Sequence, residues 1–255
     1  MIYTCTTIVG RRDVNEDSHN VIINLNGQEP NKTNVNLFGI YDGHGGNIIS
    51  KYLKKIIPKL YYDTKRNTPF KKSLHNKIFN HIQNKILESK YGFTMGSTCL
   101  LCFFYNYNNK LYLNTVNLGD CRAVLIYDDN TVKAITTDHK PDEINERIRI
   151  KKLGGKIYKD RDNTYRIGDL SVSKSFGDGD NYPFISQEPD IFYDVITDKC
   201  KYLVMACDGF WDVIKNEELP QLIKNCNEKY LSVYLTNIAL KKGTDDNISI
   251  IVIQF

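Results

Sequence analysis

No stretch of this 255-residue chain is apolar for the length that a membrane helix needs. The N-terminal Met1-Ile2-Tyr3-Thr4-Cys5 has neither the charged nor the apolar region of a signal peptide. Ile2 stands where N-myristoylation requires glycine, which excludes that anchor. A basic block is also missing: the formal net charge is only +4, so a nucleic-acid partner has no footprint. The seven cysteines are odd in number and irregularly spaced, which argues against a disulfide framework. A soluble, intracellular protein is expected, cytoplasmic or nuclear, with no membrane association and no tendency beyond a monomer. Asn31-Lys32-Thr33 matches a glycosylation acceptor, which carries no meaning without secretion.

Cys99 and Cys102 form a lone C-x-x-C, but Thr98 to Phe104 reads as a strand. An offset of three on a strand puts the two thiols on opposite faces, so small core residues are expected rather than zinc or redox ligands. No internal repeat or low-complexity linker interrupts the chain, and its length suits one domain over residues 1–255.

Strands are expected at Ile2 to Val9, Asn20 to Asn24 and Val35 to Asp42. Ile48, Ile49, Tyr52, Leu53, Ile56 and Ile57 then recur at helical spacing up to Pro58. Leu74, Ile78, Ile82 and Ile86 do the same after Pro69. Four strands follow within Ser97 to Thr136, with a hairpin-like link at Tyr127 to Asn130. A helix across Asp142 to Leu153 stops at Gly154-Gly155. Lys156 to Asp194 reads as irregular. A core strand from Lys201 to Cys207 leads to helices at Asp212 to Asn225 and Leu231 to Lys242, and Asn247 to Phe255 closes the chain as a strand. Clustered strands separated by paired helices predict an α+β layered protein with antiparallel sheet, not a doubly wound one.

Four short acidic motifs stand out: Asn15-Glu16-Asp17, Tyr41-Asp42-Gly43-His44, Cys207-Asp208-Gly209 and Asp245-Asp246-Asn247. The last three adjoin apolar strands, where a core does not normally place an unpaired charge. Carboxylates at strand ends can converge on one sheet edge, and an all-oxygen ligand set suits Mg2+ or Mn2+ rather than zinc.

These residues, in this order, resemble the metal-dependent protein serine/threonine phosphatases of the PPM, or protein phosphatase 2C, family. The matching stretches are Arg12-x-x-Asn15-Glu16-Asp17, Phe38 to Gly46, Gly96-Ser97-Thr98, Asn117 to Arg122, Asp138-His139-Lys140-Pro141, Leu170 to Asp178, Met205 to Asp212 and Gly243 to Ser249. They span nearly the whole chain. The resemblance implies a central antiparallel β-sandwich with helix pairs on both outer faces and a metal centre at one end. It also implies a bare catalytic domain with no regulatory extension and a compact flap at about residues 156–190.

The implied activity is hydrolysis of phosphoserine and phosphothreonine in proteins by a metal-activated water, with no covalent intermediate. No cysteine sits in a C-x5-R loop, so a phosphocysteine route has no support. The resemblance assigns two Mn2+ or Mg2+ ions, roughly 3.5–4 Å apart as in two-metal sites generally. Asp42 bridges them; Asp208 and Asp246 complete one, and Glu16 and the Gly43 carbonyl serve the other. Asp17 is expected to hold water around the ions. Asp120 and Asp212 correspond to the pair that holds a third, weaker ion in some members, although Asp212 could equally be a helix-start carboxylate. Arg12 corresponds to the phosphate-binding arginine. His44 beside the centre is suited to protonate the leaving alkoxide, and His139 reads as structural.

Two departures from the family pattern bear on activity. Asp245 adds negative charge beside Asp246, which either raises metal affinity or weakens attraction for phosphate. Lys174-Ser175-Phe176 replaces a more usual Arg-Ala-Leu. A non-catalytic relative would have lost ligands; here all of them are intact. A phosphatase for small metabolites using the same site remains the alternative.

Overall fold

Long apolar runs in this sequence become strands buried on both faces. The computed structural model describes residues 1–27, 34–63 and 68–255, so Asn31-Lys32-Thr33 lies outside the described residues. One five-stranded sheet contains β1 (Ile2–Ile8), β8 (Arg122–Tyr127), β9 (Val132–Ala134), β14 (Cys200–Ala206) and β15 (Ile248–Gln254), in the order β1-β15-β14-β8-β9. The other contains β2 (Ser18–Ile22), β3 (Val35–Tyr41), β6 (Cys99–Tyr107), β7 (Lys110–Leu118) and β13 (Asp190–Ile196), in the order β13-β7-β6-β3-β2. Every pairing in both is antiparallel.

The sheets pack face to face. Phe38, Ile40, Leu100, Cys102, Phe104, Leu203, Met205, Ile251 and Ile253 fill the space between them. The alternate residues Leu37, Leu101, Phe103 and Val116 face outward but are also buried, beneath α1 (Ile48–Asp63) and α2 (Lys72–Leu87). On the opposite face Val204, Ile250 and Val252 lie beneath α4 (Asp208–Trp211), α5 (Leu219–Lys224) and α6 (Leu231–Lys242). Helices on both outer faces explain why these strands read as continuous hydrophobic runs rather than alternating ones. The architecture is an α+β sandwich with helices outside both sheets, as expected. Cys99 joins the outer core and Cys102 the inner one, so the C-x-x-C thiols do face opposite ways. All seven cysteines are free.

Three local expectations need correction. Helix α1 does not end at Pro58 but continues through it to Asp63. Proline removes only one helical N–H, and the turn beyond it buries Tyr61 against Phe103, with ring centroids 4.6 Å apart. Asp190–Ile196, read as irregular, is the edge strand β13. Its side chains are only half covered, so its hydrophobic alternation is weak. The helix expected over Asp212 to Asn225 is confined to Leu219–Lys224, and a separate short helix at Asp208–Trp211 leaves Asp212 as its C-cap.

The region between α3 (Ile144–Lys152) and β13 is small. It holds the hairpin β10 (Tyr158–Lys159) and β11 (Tyr165–Arg166), closed over Ile150, Ile167 and Ile185. A three-stranded sheet of two-residue strands, β4 (Gly43–His44), β5 (Gly96–Ser97) and β12 (Phe176–Gly177), sits beside the acidic motifs in the order β12-β5-β4.

Candidate metal centre

Asp42 occupies the break between β3 and β4, where the chain leaves one sheet for another. Its backbone is fixed from both sides: the Asp42 N–H donates to Thr98 Oγ1 at 3.1 Å, and Thr98 N–H donates to the Asp42 carbonyl at 2.8 Å. Asp208 stands one residue beyond the β14–Cys207 turn, at the first turn of α4, where helix-terminal N–H groups favour a carboxylate. Asp17 immediately precedes β2, and Asp246 lies two residues before β15. Four sequence-distant carboxylates thus reach one end of the sandwich because the strands that carry them end there.

Carboxylate oxygens of Asp42, Asp120 and Asp208 lie within 4.8 Å of one another, and so do ligand atoms of Asp17, Asp42 and Cys207. Asp42 belongs to both groups. Crowding and burial oppose ionisation here. Burial, followed by the Asp208 and Asp17 charges, pushes the Asp42 carboxyl well above the usual carboxylate range. Burial and Asp120 do the same to Asp208, with Lys140 partly offsetting them. Asp17 rises to about 6, mainly through burial. Among the described residues, both Asp17 oxygens and Asp120 Oδ1 are buried without a well-formed hydrogen bond. The neighbouring Ser249 and Cys207 side chains only temper the shift on Asp17. Orphaned, mutually repelling carboxylate oxygens of this kind fit a hard divalent cation, which would supply the missing charge. Cys207 is a poor candidate ligand: burial and nearby Asp17 raise its thiol well above the usual range, and Ser249 N–H already donates to its sulfur at 3.1 Å.

Glu16 and Asp246 lie on the rim. Glu16 N–H donates to Asn247 Oδ1 at 2.8 Å, and Asn247 Nδ2 donates to the Val9 and Val14 carbonyls at 2.8 and 3.0 Å. One asparagine therefore pins the 9–16 loop to the start of β15. Gly43 is required for a reason that the sequence did not disclose. A Cβ there would stand 2.4 Å from the Glu16 carbonyl oxygen and 3.0 Å from Ser50 Oγ, and Ser50 itself donates to that carbonyl. Close approach of two chain segments needs glycine at this point.

Arg12 does not face open solvent alone. Its Nη2 lies 2.7 Å from Asp246 Oδ2 and its Nε donates to the Asp245 carbonyl at 3.1 Å. Arg11 pairs with Asp245 at 2.9 Å, so the extra charge of Asp245 is met by an exposed arginine. The turn at residues 10–13 brings both guanidinium groups to the same segment.

The Asp120–Asp212 side of the cluster carries a cation that sequence reading passed over. Lys140 Nζ lies 2.7 Å from Asp120 Oδ2. Burial alone would lower its pKa, but the Asp120 and Asp208 charges outweigh that and keep it protonated. Asp212, raised by burial and Asp120 against the pull of Lys140, is close enough to feel the same charges. Its place at the C-terminal end of α4 excludes the helix-start role, because that end of a helix repels carboxylates. The only hint of Lys140 was its position after Asp138-His139. His139 itself accepts from Gly119 N–H through Nδ1 at 3.0 Å and lies 3.1 Å from Asp190 through Nε2, tying Gly119-Asp120 to β13.

His44 reaches Asp178, a second residue that the sequence reading left without a role. Its Nε2 stands 2.9 and 2.8 Å from the two Asp178 oxygens. Burial alone would lower the imidazole pKa, but Asp178 raises it above the ordinary value. The departures at 174–176 also find partners. Lys174 Nζ meets Asp190 at 2.8 Å, Ser175 donates to Asp178, and Phe176 is buried against Phe79. A cleft of about 500 Å³ opens over the centre, lined by Arg12, Glu16, Asp42, His44, Asp208 and Asp246, with Arg166 and residues 169–172 forming its far wall.

The protein phosphatase 2C family model matches residues 3–248. A probable protein phosphatase 2C 71 of Arabidopsis thaliana is 34% identical over 232 residues, covering 87% of this chain and 49% of that protein. Bovine protein phosphatase 1L is 32% identical over 272 residues, covering 98% and 71%. The chain thus spans about half the length of the Arabidopsis relative. Among solved structures, a serine-threonine phosphatase 2C from Toxoplasma gondii aligns with a TM-score of 0.80 over 99% of this chain and 94% of its own, at 20% identity. That likeness shows the fold.

Proposed function

The chain belongs to the protein phosphatase 2C family, and from that premise we propose that it hydrolyses phosphoserine and phosphothreonine in proteins, using Mn2+ or Mg2+ and no covalent intermediate. The observation that carries the reading is the convergence of Asp42, Asp120 and Asp208 carboxylate oxygens within 4.8 Å of one another, at a cleft that Glu16, Gly43 and Asp246 also line. An all-oxygen donor set of this kind suits hard divalent cations.

The ligands of the reading are Asp42, Asp208 and Asp246 for one ion, and Asp42, Glu16 and the Gly43 carbonyl for the other. When bound, the ions acidify a water and offset the charge of the phosphate. Asp17, whose buried oxygens have no well-formed hydrogen bond among the described residues, would hold water beside the centre. Asp120 and Asp212 are the candidates for a third ion, where the Lys140 ammonium already stands as a competing positive charge. Arg12, half exposed at the cleft, presents a planar fork that can exchange Asp246 for two phosphate oxygens. His44 lines the same cleft and gives a proton to the departing serine or threonine oxygen. The flap wall at Arg166 and 169–172 meets the substrate chain beside the phosphate.

The test is phosphate release by chelator-stripped protein, with and without added Mn2+ or Mg2+, from phosphoserine, phosphothreonine and phosphotyrosine peptides and small phosphoesters. Metal-dependent turnover of the serine and threonine peptides is expected. Turnover restricted to small phosphoesters would replace this reading with that of a metabolite phosphatase.

A further inference from the structure

We infer that Asp178 is the positioning residue of His44: it holds the imidazole through Nε2 and leaves Nδ1 as the atom that serves the substrate. This rests on the reading of His44 as the proton donor. The observations begin with the backbone. In the small sheet, His44 stands opposite Gly96 on one side of β5, and Gly177 stands opposite the same Gly96 on the other. Asp178 follows Gly177 directly, so His44 and Asp178 face each other across the place where residue 96 has no side chain. A Cβ on Gly96 would lie 2.2 Å from Asp178 Oδ2 and 2.3 Å from His44 Nε2, inside the pair itself. The pair therefore requires glycine at 96.

Asp178 is held more firmly than a surface carboxylate. It is buried, with 3% of its surface exposed. Its backbone is left-handed, with φ +52°, and its N–H donates to the Met95 carbonyl at 3.2 Å. Ser175 Oγ–H donates to the same carboxylate. Gln83, from α2, clamps the preceding residue: its Nε2 donates to the Gly177 carbonyl at 2.9 Å and its Oε1 accepts from Gly177 N–H at 2.8 Å. A carboxylate so fixed selects one ring orientation and one tautomer, with Nε2–H donated to Asp178. His44 Nδ1 has no hydrogen-bond partner among the described residues, and the residue lines the cleft. In the step itself the imidazolium breaks its Nδ1–H bond and the proton passes to the alkoxide released from phosphorus. The ring is left neutral, still donating Nε2–H to Asp178, and takes its next proton from water.

Asp178→Asn tests this with little disturbance, because asparagine tolerates the left-handed backbone as aspartate does. With Mn2+ present, kcat on a phosphoserine peptide should fall about tenfold or more, within the roughly 10²–10⁴-fold that a general acid supplies. KM should hold, and p-nitrophenyl phosphate, whose leaving group needs no proton, should be turned over almost normally. Asp178→Asn combined with His44→Ala should be no worse than His44→Ala alone. Nitrogen-15 NMR of the imidazole should show Nε2–H in the parent protein and its loss or exchange in Asp178→Asn. Ser175→Ala, which loosens the carboxylate without removing it, should give a smaller loss of the same selectivity and stands in should Asp178→Asn misfold.

If His44→Ala spares p-nitrophenyl phosphate but Asp178→Asn and Ser175→Ala leave peptide turnover unchanged, the positioning role is overturned and the proton-donor reading stands. If His44→Ala damages both substrates equally, the proton-donor reading falls. The NMR signature then decides whether Asp178 still sets the ring, and an unchanged tautomer would overturn that too.

Discussion

Replacing Asp17 by asparagine should make the metal-free protein more stable. The carboxyl group is buried, the neighbouring Ser249 and Cys207 side chains offset its desolvation only in part, and Asp246 adds repulsion. Its pKa in the folded chain is raised from 3.8 to about 6. A raised carboxyl pKa means that the folded state holds a proton which the unfolded state has released. The associated stability is complete below about pH 4, is lost as pH climbs toward 6, and stays lost at neutral pH. A rise of about two units corresponds to roughly 3 kcal/mol. Asparagine keeps the shape, carries no charge and can donate to the Asp42 carboxylate. In chelator at about pH 7, Asp17→Asn should therefore gain up to ~3 kcal/mol, or about 6–12 °C in Tm for a chain of this length. Urea unfolding at about pH 5 and about pH 7 reads both parts. The parent should weaken across that interval, and Asp17→Asn should weaken less. Saturating Mn2+ should stabilise the parent by mass action and reverse the order of the two. A variant that is less stable than the parent in chelator, or equally sensitive to pH, would refute the electrostatic argument.

Lys140→Met should act in the opposite sense, leaving buried Asp120 without its cation; a loss of about 3–5 kcal/mol in chelator is expected, smaller with Mn2+, and unchanged urea unfolding would count against it. Asp208→Asn should remain folded, as circular dichroism can check, yet show no turnover at limiting metal; near-normal turnover would make Asp208 a plain turn residue. Arg12→Ala should raise KM for phosphopeptides and lower kcat less, and a fall in kcat at constant KM would place Arg12 outside phosphate binding. Activity should vanish in chelator and return with Mn2+ or Mg2+, because oxygen ligands in an open cleft exchange ions readily; full turnover in chelator would exclude the two-ion reading.

Much of the fold was written in local pattern. Runs such as Val35–Tyr41 and Ile248–Gln254 are mostly apolar, broken only by Asn36, Ser249 and the terminal Gln254, because both faces are covered, and such runs between turn residues read directly as central strands. The steps of four from Leu74 to Ile86 marked α2 for the same reason: one helix face is buried and its period shows. Where burial is partial or the decisive contact is distant, local pattern failed. Edge strand β13 carries the strand-favouring Ile191, Phe192, Tyr193, Val195 and Ile196, but its partial burial and the interrupting Asp194 leave no clean alternation to read. Pro58 looked like a stop, but packing of Tyr61 outweighs one missing hydrogen bond.

The same division holds at the centre. Motif order in the sequence sufficed to nominate Glu16, Asp42, Gly43, Asp208 and Asp246, since each residue type carries its chemistry wherever it stands. Which groups act on one another depends on separations of a few ångströms between residues far apart along the chain, and no periodicity encodes that. Lys140 meets Asp120 across 20 positions, Arg12 meets Asp246 across 234, and His44 meets Asp178 across 134. Gly96 shows the limit most plainly. Its residue type was visible from the start, but the reason for it exists only where three short strands bring an imidazole and a carboxylate into the space that a side chain would fill.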